Sequence, residues 1–367
     1  MTWQPVRLSP VEYVNEPGIL KQLDEIIIEK HYKSPVILTD LAVIEAVSPY
    51  VPDHFFEKHK TIIFNGNCTY PEAERVESEI THSDVLVALG GGQLLDTAKN
   101  VADVKTIDLI NIPTVPSNCA SITTKSMVYS ETKHELIGRE RHPQAVTLVL
   151  VDPTLLRHSP TNYLLSGIGD TLAKWYEIRR RLNVPEAAGA ILDIARRTIE
   201  VSKERTLVIK NPNAIDDDTF KNLLDTIFLV AASVDGFAST RGRSVAAHSF
   251  HNGYLKVNHH PTKTHGEIVA LGVLVQLAIE QETDDLQELT KFYIGIGLPT
   301  KPSDLGLTVN TDEIHTIARD MVAKDNVRIQ TVYDHLTEAE VVDAINSLEG
   351  GVHSDGIQRV TSSAERG

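Results

Sequence analysis

The sequence predicts an α/β amino-terminal half built on a parallel sheet and an all-α carboxy-terminal half. Three observations predict it. The chain has 367 residues, about twice an ordinary single domain, which favours two lobes with a cleft between them. Short apolar runs alternate with amphipathic stretches through the first 150 residues, the rhythm of parallel strands joined by helical crossovers. Beyond residue 158 the rhythm changes to long helical segments.

In chain order, "PGILKQLDEIIIEKH" (17–31) puts Ile19, Leu20, Leu23, Ile26 and Ile27 at helical spacing. Five runs then read as strands: "PVILTD" (35–40), "TIIFN" (61–65), "DVLVALG" (84–90), "DLINIPT" (108–114) and "VTLVLVD" (146–152). Each is short and apolar throughout, as strands covered on both faces should be. In "VDPTLLRHSP" (151–160), Ser159-Pro160 reads as an N-cap followed by a first-turn proline. The domain boundary is therefore expected near 158, giving domains 1–158 and 159–367. A polar loop, "KNPNAIDDD" (210–218), should separate two helices, and the tail "SDGIQRVTSSAERG" (354–367) is polar enough to be loosely held.

Composition excludes several classes. Hydrophobic residues make up 41% of the chain, and no apolar run approaches the roughly 18 residues of a membrane span. "MTWQPVRLSP" lacks the basic flank and apolar stretch of an export signal, so a cytoplasmic location is expected. A formal charge of −15 with no grouping of basic residues along the sequence argues against nucleic acid as a partner. Cys68 and Cys119 are too few for a disulfide framework and too isolated for a thiolate zinc cluster.

"VLVALGGGQLLDTAKNVAD" reads as a buried strand, three glycines and an amphipathic helix. Such a turn lets backbone N–H groups approach a pyrophosphate while the helix terminus adds favourable partial charge. It lacks the G-x-G-x-x-G spacing of the usual dinucleotide fingerprint, and by itself a plain structural turn is the alternative. Asp40 closes an earlier strand, where a carboxylate can accept hydrogen bonds from an adenosine ribose and repel a 2′-phosphate, favouring NAD over NADP. A helix-capping role is the alternative there.

"AAHSFHNGYLKVNHHPTKTHGE" (246–267) holds five of the fifteen histidines. His248 and His251 share a helical face and His265 follows a loop. A catalytic zinc needs three protein ligands and an open position, and Asp170, a carboxylate at an apolar helix start in "SGIGDTLAKWYE", would be out of place as a solvated residue. Structural histidines are the competing reading. His259 and His260, beside Pro261, read as solvated.

"GGGQLLDTAK", "IPTVPSNCASITTKSMVY", "GIGDTLAKWYE" and "AAHSFHNG…HGE" occur in the order and at the separations of a known family. The chain resembles the glycerol dehydrogenases within the metal-dependent, iron-containing type alcohol dehydrogenases, from about residue 10 to about 345. The resemblance implies a Rossmann-like nucleotide-binding lobe, a helical metal-binding lobe (the dehydroquinate synthase-like fold) and a homo-oligomer, dimer to octamer. It places NAD(H) against Asp40, Gly91, Gly92, Gln93, Thr114, Ser117, Thr123, Lys125 and Tyr129. It assigns the metal to Asp170, His248 and His265, with His251 behind them as an orienting or proton-relay group. Iron-binding relatives carry a further histidine four residues after the aspartate. Lys174 stands there in this chain, so Zn2+ is expected, with another divalent ion such as Fe2+ also able to bind.

Cys119 stands where glycerol dehydrogenases have aspartate, which removes an acceptor for a polyol hydroxyl. Together with Lys174 and Arg243, it makes the chain look more like a sister branch that interconverts 2-oxo and 2-hydroxy acids. The expected activity is a metal-dependent, NAD(H)-linked oxidoreductase on such a small molecule, with Cys119 and Lys174 facing the substrate. Glycerol oxidation is the alternative, a dehydroquinate-synthase-like lyase a remote one, and a non-catalytic nucleotide binder a third.

Overall fold

The computed structural model describes residues 5–132 and 135–350. Its strands are β1 (Glu12–Asn15), β2 (Pro35–Thr39), β3 (Lys60–Ile63), β4 (Val85–Gly90), β5 (Asp108–Pro113), β6 (Lys125–Tyr129), β7 (Leu136–Arg141) and β8 (Leu148–Val151). Six form one sheet in the order β1-β8-β5-β4-β2-β3, parallel at every pairing. The five expected strands are all present, and β4 and β8 are buried at every position, as residues covered on both faces must be.

Two strand features were not expected. β1 is an edge strand with only Asn15 buried, so its sequence carries no apolar run. β6 and β7 form a separate antiparallel hairpin, and "LIGRER" in β7 is half-exposed throughout, which hides a strand from any test based on burial.

The single helix expected over 17–31 divides into a 3-10 turn, Ile19–Gln22, and an α-helix, Leu23–Glu29. The division has a local cause: the Asp152 carboxylate accepts from the N–H groups of Gly18 and Leu20, at 2.9 and 3.3 Å. Ser159 does not cap the following helix. Its hydroxyl donates back to the Leu156 carbonyl at 2.7 Å, and Pro160, with extended ψ, precedes the Thr161–Leu182 helix directly. The 210–218 loop does lie between two helices, Ala190–Leu207 and Asp217–Asp225. The polar tail lies outside the described residues.

The expectation of no long apolar run needs amending. Asp217–Gly242 is a helical run of 26 residues, long and apolar enough by length and composition to cross a membrane, but more than half buried. It packs as a core helix, with a π-turn at Thr226–Val230.

At the centre of the helical half lies His265–Ile279, buried without interruption from Gly266 to Leu277; a helix apolar on all sides has to be enclosed. It meets Thr161–Leu182 backbone to backbone. A Cβ on Gly266 would lie 1.8 Å from the Ser166 carbonyl oxygen, and one on Gly169 2.3 Å from that of Gly266. These glycines set the spacing between two helices that carry candidate metal ligands.

Candidate metal centre

Asp170, His248 and His265 come from three different helices, Thr161–Leu182, Ala246–Val257 and His265–Ile279; Asp170 lies in the interior of its helix and not at the start, because the helix begins at Thr161, before the apolar motif. One donor atom from each lies within 4.8 Å of the others. Both imidazoles present Nε2 to the same oxygen, Asp170 Oδ1, His248 at 3.4 Å and His265 at 3.5 Å. Asp170 is buried. Burial alone would raise its pKa, but Lys174, His248 and His265 reverse this and hold the carboxyl well below its usual range, so it is an anionic donor at neutral pH.

The far nitrogens of the two rings are also held. His248 Nδ1 lies 2.6 Å from Glu177 Oε2, and Glu177 Oε1 accepts from the backbone N–H groups of Val245 and His248 at 2.7 and 3.1 Å. With a cation bound, an acceptor on Nδ1 would keep the proton there and leave the Nε2 lone pair for the metal. His265 Nδ1 lies 3.0 Å from His251 Nε2. Burial, then the neighbouring His265 and His248, push the His251 pKa well below its ordinary value, which makes neutral His251 an acceptor. The donor set, its charge and its orientation fit a divalent cation. His259 and His260 are exposed and stand outside the group.

Glu177 escaped the sequence reading, although a signal exists: it follows Asp170 by seven residues, two turns along the same helical face. Glu177→Gln should weaken metal affinity by about 10–100-fold, the usual effect of losing such an outer partner. Competition with a chromogenic chelator measures this, and an unchanged affinity would remove Glu177 from the role.

Lys174 lies one turn beyond Asp170, with Nζ 3.6 Å from Asp170 Oδ2. Burial would lower its pKa, but Asp170 and its neighbours raise it above the usual value. It is therefore a retained cation and no ligand. Cys119 is buried, and burial pushes its thiol up to about 11, which leaves it unreactive at neutral pH.

Of the expected nucleotide residues, Asp40, Gly91, Gly92 and Thr114 lie at the carboxyl ends of the neighbouring parallel strands β2, β4 and β5, where open α/β sheets place ligands, whereas Lys125 and Tyr129 lie on β6 of the hairpin. Asp40 follows β2 and caps the Leu41–Val47 helix, accepting from the Val43 N–H at 2.8 Å. Gly91 and Gly92 open the Gly92–Lys105 helix after β4. Thr114 follows β5 and donates its N–H to Gly90 at 3.1 Å. The loop beyond it folds over the glycine turn: a Cβ on Gly92 would lie 3.1 Å from Asn118 Nδ2, and one on Gly91 3.6 Å from Val115.

Other members of that set are partly engaged. Gln93 Oε1 accepts from the Cys68 N–H at 2.9 Å, and the Tyr129 N–H donates to the Cys68 carbonyl at 2.8 Å. Thr123 lends its carbonyl to Lys99 Nζ at 3.0 Å, and Lys99 also binds the Ala120 carbonyl and Asp96, at 2.8 and 2.7 Å. Lys125 Nζ pairs with Asp235 at 2.6 Å, a link between hairpin and helices. Ser166, which sequence reasoning overlooked, donates to the Ser117 carbonyl at 3.1 Å and accepts from the Gly266 N–H at 2.9 Å. One buried hydroxyl thus ties the glycine-turn loop to the helix that begins with His265.

Residues 10–153 match the family model described as iron-containing alcohol dehydrogenase. Hydroxycarboxylate dehydrogenase A of Escherichia coli is 30% identical over 321 residues, covering 84% of this chain and 88% of that protein. Among solved structures, a probable glycerol dehydrogenase from Sinorhizobium meliloti superposes with a TM-score of 0.79 at 26% identity, over 95% of this chain and 99% of the other. The sulfoacetaldehyde reductase of Bifidobacterium kashiwanohense, solved with NAD+, shares the fold at 13% identity, with a TM-score of 0.69 over 96% of this chain and 100% of that one.

Proposed function

The chain belongs to the iron-containing alcohol dehydrogenase family, and from that premise we propose that it interconverts a small 2-hydroxy acid and its 2-oxo acid, with NAD(H) and a zinc ion held by Asp170, His248 and His265. One observation carries the reading: two Nε2 atoms and a buried, ionised carboxylate converge within 4.8 Å, with the opposite nitrogens already occupied by Glu177 and His251.

When bound, the metal supplies Lewis-acid polarisation of an alcohol or carbonyl oxygen, and the dinucleotide accepts or donates the hydride. The protein does the rest. Asp170, His248 and His265 would hold the metal as three protein ligands, the number that leaves room for a substrate oxygen. Glu177 fixes the His248 ring, and His251 receives the His265 Nδ1 proton in a hydrogen bond, which orients that ring and offers a proton path away from the site. The Gly91–Gly92 turn and its helix terminus suit a pyrophosphate, and Asp40 suits the ribose of NAD, disfavouring the extra phosphate of NADP. Zinc is preferred because Lys174 fills the place of a fourth ligand with a cation, leaving a three-ligand site.

The substrate class rests on Cys119 and Lys174. A neutral thiol replaces an acceptor that a polyol would use, and an ammonium group 3.6 Å from Asp170 can pair with a substrate carboxylate. Oxidation of NADH with 2-oxobutyrate, 2-oxoglutarate, dihydroxyacetone and methylglyoxal, with and without added zinc, tests this. Preference for an oxo acid supports the proposal, and preference for dihydroxyacetone returns the chain to glycerol chemistry. Lys174→Met should raise KM for the oxo acid at least about tenfold, the scale of one lost charge-assisted contact, and should affect dihydroxyacetone much less. Equal losses on both would make Lys174 a structural partner of Asp170 only.

A further inference from the structure

Lys99 lies in the middle of the Gly92–Lys105 helix and is buried, a place where a lysine is found only when its charge is matched. Its ammonium group is surrounded by backbone oxygens of one loop. Nζ donates to the carbonyls of Ala120 at 2.8 Å, of Thr123 at 3.0 Å and of Lys125, which occupies all three of its protons. The Thr123 hydroxyl stands further off, at 3.4 Å. The charge is matched by Asp96 Oδ1 at 2.7 Å, one turn earlier on the same helix, and Asp96 Oδ2 accepts from the Met127 N–H at 2.9 Å.

A buried loop carbonyl with no strand or helix partner needs a donor from elsewhere in the chain. Here three carbonyls between residues 120 and 125 share one cation, as they would share a bound monovalent metal ion. Gly92, Asp96 and Lys99 lie at positions i, i+4 and i+7 of the helix and so share a face. The loop runs along that face: a Cβ on Gly92 would lie 3.1 Å from Asn118 Nδ2 and 3.5 Å from Ala120 Cβ. The glycine turn and the loop, which carry Gly91, Gly92, Thr123 and Lys125 of the expected nucleotide set, are thus fixed to one another through a single ammonium group.

We propose that Lys99 is a positioning residue for the dinucleotide: a built-in cation that folds residues 118–125 onto the glycine-turn helix and so sets the affinity for NAD(H) without touching it. This rests on the nucleotide reading above and goes beyond it, by giving that set of contacts one internal support. Truncation of Lys99 at Cβ removes a propylammonium unit and leaves its three carbonyls and one carboxylate facing a gap. A surface cavity of about 260 Å3, its open mouth included, is lined by Lys99, Ala102, Asp103 and His142 among others and gives a small amine a way in.

The test uses the full chain loaded with zinc. Lys99→Ala is expected to raise the Kd for NADH, read by fluorescence titration, at least about tenfold, with KM for NADH rising more than kcat falls and zinc affinity kept. Added propylammonium should restore most of the NADH affinity of Lys99→Ala. It should do nothing for the wild type or for Lys99→Met, whose side chain fills the space without a charge. Amide hydrogen exchange over residues 118–125 should be faster in Lys99→Ala and slow again with the amine. Lys99→Gln keeps a neutral donor in the space and carries the test if the other variants do not fold, with severalfold weaker NADH binding and faster exchange over the same residues. Unchanged NADH affinity in a folded variant overturns the proposal. So does a loss in Lys99→Ala that the amine does not reverse, or one matched by an equal loss of zinc affinity, since either marks a general loosening of the lobe. If the wild type binds no NADH, the nucleotide reading has failed, and exchange over 118–125 then decides by itself whether Lys99 holds the loop.

Discussion

Asp170→Asn is expected to leave the protein folded but without metal, and to lower kcat/KM by more than about a thousandfold, since polarisation by a bound metal is worth several kcal/mol of barrier. The substitution keeps the shape of the side chain and removes its charge. Both histidines then lose the shared oxygen at 3.4 and 3.5 Å, and a cation site with two neutral nitrogens holds zinc poorly. A second consequence follows at Lys174. Its ammonium, 18% exposed, is left without the carboxylate 3.6 Å away, and stranding one member of a buried pair costs about 3 kcal/mol or more. Asp170→Asn/Lys174→Met should therefore recover most of the stability in urea and none of the metal. Metal analysis showing stoichiometric zinc in Asp170→Asn would contradict this account of the centre.

Gly266→Ala is expected to be the most damaging added methyl among the described glycines. The new carbon would sit 1.8 Å from the Ser166 carbonyl oxygen, a backbone atom that cannot rotate away, so the Thr161–Leu182 and His265–Ile279 helices must separate. Overpacking of this kind costs about 3 kcal/mol or more. The same shift breaks the Gly266 N–H bond to Ser166 Oγ, which also holds the Ser117 carbonyl, and moves His265 away from Asp170. Stability, metal affinity and KM for NADH should thus deteriorate together. Gly295→Ala is the matched control: its added carbon meets nothing within 4 Å, and the helical site should gain about 0.5–1 kcal/mol. Similar melting temperatures for the two variants would refute the close-packing argument.

Residue type and spacing along the chain made much of this legible. β2, β4 and β5 are apolar because both faces are covered, and that property survives in a linear reading. The glycine turn and the strand-end Asp40 were visible for the same reason: their positions follow from local backbone geometry. β1 was invisible because an edge strand needs no apolar run, and β7 because a half-exposed hairpin strand can be charged. Glu177 was within reach of helical arithmetic. Ser166 was not, since a serine inside a helix shows nothing until the carbonyl and N–H it joins are brought beside it from residues 117 and 266.

Taken alone, the amino-acid order determined which groups are available: an acid in an apolar stretch, imidazoles on a helix face, glycines after a strand and a lysine four residues beyond the acid. Only the tertiary structure decided that two nitrogens turn toward one oxygen and that Glu177 and His251 hold the rings. The division has one physical origin. Periodicity and backbone preference act over a few neighbouring residues and are written locally, whereas ring orientation, charge pairing and the fit of two glycine-lined helices depend on distances between segments far apart in the chain, which exist only after the core has packed.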